Sequence, residues 1–271
     1  AAVNGDPTRM PDPNTFRANY TTILSGLRAN RADVIATTIP NPLDTAYFAT
    51  PSQAAGLVAT SPFILTAGYQ IAPGDYLTRN GMEAIAAQFW NRSISPLPPG
   101  SVLKAAVAAN ITSRVNALNA QIRAAAQATG AVVYDLNAFF HNIRVSGAKV
   151  ANNAVTADFL GGFYSMDAVY PGASGHALIA NDLLAFINQT YKRSFPSVNL
   201  SAIAAVDPAL SYKRPGNGRF NGQQLHLSID QPSDGASDNS DASSAASSAD
   251  LVQQDSPDGQ SSVQTDGTSA E

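Results

Sequence analysis

The chain has 271 residues, enough for one domain or two small ones, and it is 44% hydrophobic, so a sizeable core can be buried. With no cysteine it has no disulfide, thiolate nucleophile or thiolate metal site, and no apolar run reaches the roughly 18 residues of a membrane span. The net charge of −4 hides an asymmetry: every Lys and Arg lies at or before Arg219, nine acidic residues follow it, and residues 1–219 carry a net charge of +5 that is scattered rather than patched, which argues against a nucleic-acid partner.

The chain opens Ala1-Ala2-Val3-Asn4-Gly5-Asp6, without Met, a basic start or an apolar signal core, which leads us to expect a trimmed chain or a fragment. Residues 13–31 predict a helix, because Phe16, Tyr20, Ile23, Leu24 and Leu27 recur at helical spacing, with Asp12 or Asn14 as its cap. The apolar, β-branched run 33–39, stopped by Pro40, predicts a buried strand. Residues 41–103 are rich in Pro, Gly, Thr and Ala, with aromatics at Tyr47, Phe48, Phe63, Tyr69, Tyr76, Phe89 and Trp90 and one short helix expected near 80–89. So long a connection with so many aromatics reads either as a lid or substrate-facing insertion, or as a surface excursion with a small core of its own.

A second helix is expected over 104–129, with Ile111, Val115, Leu118 and Ile122 buried and Gly130 ending it. The run Ala131-Val132-Val133-Tyr134-Asp135-Leu136 predicts a second strand. A third helix is expected over 174–191, with Leu178, Ile179, Leu183, Phe186 and Ile187 as its core stripe. Apolar, non-alternating strands interleaved with helices specify an α/β domain built on a parallel sheet. From about residue 215 the chain is Ser, Asp, Gly and Gln with few aromatics, a composition that cannot offset ordering entropy, so 213–271 are expected to form a disordered acidic tail.

The segment that carries chemistry is Asp167-Ala168-Val169-Tyr170-Pro171, followed by Gly175-His176 and the third helix. A carboxylate three residues before a general base, on one tight loop, can bind the base's far nitrogen and fix its tautomer. This block resembles the last catalytic block of SGNH (GDSL-type) ester hydrolases, which reads Asp-x-x-His-Pro before a small-residue turn and a helix. Asp167, Pro171, Gly175 and His176 match that pattern, whereas Tyr170 stands where the family carries its histidine. A free phenol titrates near ~10 against ~6.5 for imidazole, so Tyr170 is a poor acceptor for a serine proton, although it could pack the loop and bond Asp167. His176 is the alternative base, but it lies nine residues after Asp167 at a helix start, where the family's histidine is structural. His141 is expected to pack at a helix end and His226 lies near the tail, and three scattered histidines make no metal-ligand pattern.

The resemblance covers roughly residues 1–205 and implies a three-layer, flavodoxin-like SGNH fold that lacks its first strands, within a domain spanning 1–212. It implies an ester or lipid substrate, no cofactor, and a secreted or cell-envelope location. The family's Gly-Asp-Ser nucleophile block and its Gly and Asn oxyanion blocks have no counterpart in this chain. Gly5-Asp6-Pro7 and Gly74-Asp75-Tyr76 are near-misses, and Gly172-Ala173-Ser174-Gly175 is one residue short of a nucleophile elbow. Two readings follow: a piece of a serine esterase or lipase-like enzyme, inactive as it stands, or a degenerate SGNH module that binds a glycan, lipid or protein partner. A third reading is an unrelated α/β domain in which the turn is coincidental. The apolar edge left at strand 33–39 leads us to expect a marginally stable or self-associating chain.

Overall fold

In the computed structural model the described residues are Ala2 and residues 5–211, and all of them belong to one compact unit. The expected tail, 213–271, lies outside the described residues, as does His226. Helix α1, Pro13–Ala29, starts where expected: Asp12 accepts from the N–H groups of Asn14 and Thr15, and Pro13 needs no partner at the first helical position. Strand β1, Ile35–Thr37, follows, and its only described partner is β5, Val132–Tyr134, paired in parallel with Ile35 opposite Val132. The crossover between them carries α5, Ala105–Thr129, which packs along α1. Gly130, at φ 72°, closes α5 in the left-handed conformation that glycine adopts without a Cβ penalty.

Side chains leave the two strands toward both faces. Ala36 joins Val34, Leu24 and Ile122, with Val133 packed alongside, under α1 and α5. Tyr134 points the other way, toward helix α7, Ala173–Tyr191, its ring tilted against Phe186 at 5.3 Å and its hydroxyl donating to Asp182 Oδ2 at 2.7 Å. Helices therefore cover both faces of a two-stranded parallel sheet, which establishes a mixed α/β architecture. The expected face of α5 is buried throughout: Ile111, Val115, Leu118 and Ile122 are all at most 2% exposed, each worth about 1.5–3 kcal/mol of burial.

The other two helical stripes are less covered than expected. Among the α7 residues expected in the core, Leu178, Ile179, Leu183, Phe186 and Ile187 are only half-buried, and full burial falls on Ser174, Gly175 and Ala177 near its start. On α1 only Leu24 is buried, while Ile23 is 57% and Leu27 48% exposed. The physical reason is the sheet's width, since two short strands cannot cover the full length of a 17- and a 19-residue helix.

The long connection is richer than one short helix. It holds β2, Phe48–Ala49; α2, Pro51–Leu57; α3, Pro62–Tyr69; β3, Tyr76–Thr78; α4, Arg79–Trp90; and β4, Val102–Leu103. Its strands form an antiparallel sheet in the order β2-β3-β4. It has no separate core. Ala54, Leu65, Leu77, Met82 and Ile85 share one buried cluster with Phe140, Ile143, Phe159, Phe163 and Tyr164, which ties the insertion directly to the Asp167 loop and corrects the reading of a self-contained excursion. After β5 come α6, Leu136–Ser146, and the hairpin β6, Ala148–Val150, with β7, Asn153–Val155. Two short helices, α8, Leu200–Val206, and α9, Pro208–Ser211, close the described chain.

Candidate active site

The loop from Phe163 to Gly172 is fixed from below and within. Phe163 and Tyr164 sit in an aromatic cluster with Phe139 and Phe140 of α6, at centroid distances of 4.9 to 6.3 Å. Its two ends are stitched together: Ser165 N–H donates to the Tyr170 carbonyl at 2.8 Å and Gly172 N–H to the Phe163 carbonyl at 2.9 Å. At the crest, Asp167 Oδ1 accepts from Ser165 Oγ at 2.7 Å, Val169 N–H at 2.8 Å and Tyr170 N–H at 2.9 Å. Partial burial works to raise the Asp167 pKa, but these three bonds, together with the charge of Arg79 on α4, outweigh it and hold the carboxyl below its ordinary 3.8. Asp167 is thus ionised at neutral pH and organises the turn. Ala168 inside the turn is fully buried and held at φ 64°, the kind of strained backbone that clusters at functional loops.

The structure brings Asp167 and Tyr170 together, but only through the backbone. The contact is to the Tyr170 N–H, and the Tyr170 residue is 68% exposed, so the expected packing role of the ring is not realised. His176 stays apart from Asp167. Its Nδ1 lies 3.0 Å from the Gly172 carbonyl one turn earlier, which places the ring on its own helix. The near-miss aspartates are structural. Asp6 caps the 3-10 turn Pro7–Arg9, and buried Asp75 accepts from Ala72 N–H, Ala105 N–H and Lys104 Nζ, bracing the start of α5. Ser174, the other near-miss, is fully buried in the first turn of α7.

A pairing that spacing along the chain did not reveal, between Asp44 and His141, lies beside this loop. Where β1 ends, Thr38 Oγ1 donates to Asp135 Oδ1 at 2.8 Å, and Asn119 of α5 brackets Ile39, accepting from its N–H at 2.7 Å and donating to its carbonyl at 2.9 Å. This brings the 3-10 turn Pro42–Asp44 against α6. Asp44 is buried there, and His141 Nδ1 of α6 stands 3.5 Å from its Oδ2. His141 therefore lies mid-helix and paired, not packed at a helix end. Burial raises the Asp44 carboxyl above 3.8, against the opposing pull of His141 and Arg144. Tyr164 of the Asp167 loop donates its hydroxyl to the Asp44 carbonyl at 3.1 Å, so the two regions share a wall. Arg144 spans the same wall, donating to the Phe48 and Ala157 carbonyls and to Gln53 Oε1, while Gln53 Nε2 donates to Asp158 Oδ1. Apart from Ala157, these partners are separated by about a hundred residues, and that distance in sequence is why periodicity and spacing gave no signal for them.

A cavity of about 550 Å³ lies elsewhere, between Tyr69 at the end of α3 and the segment Ile94–Val102. None of the residues named above as site candidates lines it. Among the described residues no three His, Asp or Glu side chains are grouped so as to hold a metal ion, and no helix is long and apolar enough to cross a membrane. No family model matches the chain, and no curated protein or solved structure shows significant similarity to it.

Proposed function

We propose that this chain is the base-loop portion of an SGNH-type serine ester hydrolase domain, and that its loop supplies the orienting carboxylate, Asp167, without a competent base. One observation carries the reading. An ionised aspartate holds a stitched turn that leads directly into α7, and α7 packs on a parallel strand pair with helices on both faces. The reaction of such a domain is attack of a serine oxygen on an ester carbonyl, followed by hydrolysis of the acyl-enzyme. At position 170 a phenol replaces the imidazole that would accept the serine proton, and its exposure leaves room for a histidine ring there without repacking.

The test has two arms. DNA in frame upstream of codon 1 is read for Gly-Asp-Ser and Gly-x-Asn-Asp blocks, and the absence of both sinks the reading. The protein that gene encodes is then assayed on p-nitrophenyl acetate with and without Tyr170→His. Slow hydrolysis in the parent and a gain of about 10²-fold or more in the variant are expected. Both blocks present with no gain would favour the second reading, a non-catalytic module for a glycan, lipid or protein ligand, which the Tyr at the base position also supports.

A further inference from the structure

We infer that His141 and Asp44 form a general-base dyad independent of the Asp167 loop, with Asp44 orienting the ring and His141 Nε2 accepting protons from a hydroxyl-bearing substrate or water. Three observations on the geometry lead there. The carboxylate is the buried member and the imidazole the exposed one: Asp44 is 7% exposed as a residue, while the His141 side chain is 61% exposed. A surface ion pair exposes both partners, whereas a base held for work keeps its orienting group inside and its reactive nitrogen outside. Second, the pairing uses Nδ1, and the described residues give Nε2 no partner, so the second nitrogen is presented to solvent. The 3.5 Å separation is long, as pairs of this kind often are before substrate is bound. Third, the pair sits on the two segments that leave the carboxyl ends of β1 and β5, the side on which open α/β sheets place their ligands.

The charged neighbours favour the same assignment. Arg144, one helical turn beyond His141, and the Tyr164 hydroxyl face Asp44, and Asp158 lies behind Arg144. Arg144 draws Asp44 toward its ionised form, while Tyr164 binds the Asp44 main-chain carbonyl and leaves the carboxylate to the imidazole. In the reaction, Nε2 takes the proton of an O–H group as that oxygen's electron pair forms the bond to an acyl carbon. The carbonyl π pair moves to oxygen, and the proton returns from Nε2 to the leaving alkoxide when the C–O bond breaks. That acyl acceptor rests on the hydrolase reading above, whereas the dyad itself does not.

The experiment therefore uses the 271-residue chain and a probe that needs neither serine nor ester. With 5-nitrobenzisoxazole, a base removes the ring C–H proton, the C–H pair becomes the third bond of a nitrile, and the N–O bond breaks to release a phenolate. The parent is expected to turn the probe over faster than buffer alone. His141→Gln should lower that rate about 10²-fold or to the buffer level, and Asp44→Asn by about tenfold. Nitrogen-15 spectra of the histidines, assigned with His141→Gln, should show His141 protonated on Nδ1 in the parent and redistributed toward Nε2 in Asp44→Asn. An unchanged rate in His141→Gln overturns the dyad, and so does an unchanged tautomer in Asp44→Asn, which would mark the pair as a surface contact only. Either result leaves the SGNH reading standing, and failure of the Tyr170→His experiment leaves the dyad standing.

Discussion

At the residue scale, the Asp167 loop was readable because its partners are neighbours in sequence. An aspartate that bonds the N–H groups two and three residues ahead is a local turn, and the Asp, the Pro and the Gly-His pair all lie within ten residues. The same locality explains Gly175. A Cβ there would overlap the Phe163 carbonyl oxygen and come within 2.8 Å of Pro171 Cβ, so the first turn of α7 can press against the loop only through a glycine. Because the obstructing atoms belong to backbone and a ring, neither can rotate away. Gly175→Ala is therefore expected to cost about 1–3 kcal/mol, read as a lower urea midpoint, and to loosen the loop around Asp167. A variant as stable as the parent would show that the loop gives way easily and that its geometry is not fixed by this contact. The pairing of Asp44 with His141 was not readable, because nothing local distinguishes a buried aspartate in a Pro-Leu-Asp turn from an exposed one.

Among elements, the helices predicted from sequence, α1, α4, α5 and α7, were legible and their ends mostly so, since capping and left-handed glycine are also local, whereas α2, α3, α6, α8 and α9 were not. Helix α7, like α5 with its distant Asp75, is an exception. Its N-terminus begins at Gly172, which has no side chain to cap it, and the need is met from far away: Asp207 Oδ2 accepts from Ser174 N–H at 2.7 Å. Asp207 is 3% exposed and sits between α8 and α9, with its other oxygen accepting from Ala209 N–H at 2.9 Å. The terminal helices thus latch onto the start of the helix that carries the loop. A carboxylate at a helix N-terminus is favoured by both the free N–H groups and the helix dipole. Asp207→Ala is expected to lose about 1–2 kcal/mol in chemical denaturation. Asp207→Asn, which keeps an acceptor, should lose less. Equal losses in both variants would assign the effect to charge alone, and no loss in either would remove the latch. Sequence could not reveal this cap, because it is supplied from thirty-three residues away.

On the scale of the whole molecule, the mixed α/β character was legible and the width of the sheet was not. Alternating helices and apolar strands required a parallel pair with helices on its faces, and β1 with β5 supplies it. Periodicity shows which face of a helix is apolar but not how much sheet is present to cover it. The consequence is visible on α1, where Ile23 and Leu27, one turn apart on the apolar face, are 57% and 48% exposed. These residues leave apolar surface exposed on α1, and β1 has an unpaired edge among the described residues, two features that favour self-association. Replacing them with Ile23→Glu and Leu27→Lys puts an acid four residues before a base, an arrangement that supports the helix by about 0.2–0.5 kcal/mol. The double variant is expected to keep its unfolding free energy within about 0.5 kcal/mol of the parent and to lose concentration-dependent association in sedimentation velocity. A drop of about 2 kcal/mol or more would mean that the face is buried by other parts of the same chain. Retained association with unchanged stability would move the adhesive surface to the β1 edge itself, and a lysine substituted at exposed Thr37 would then be the variant that dissolves it.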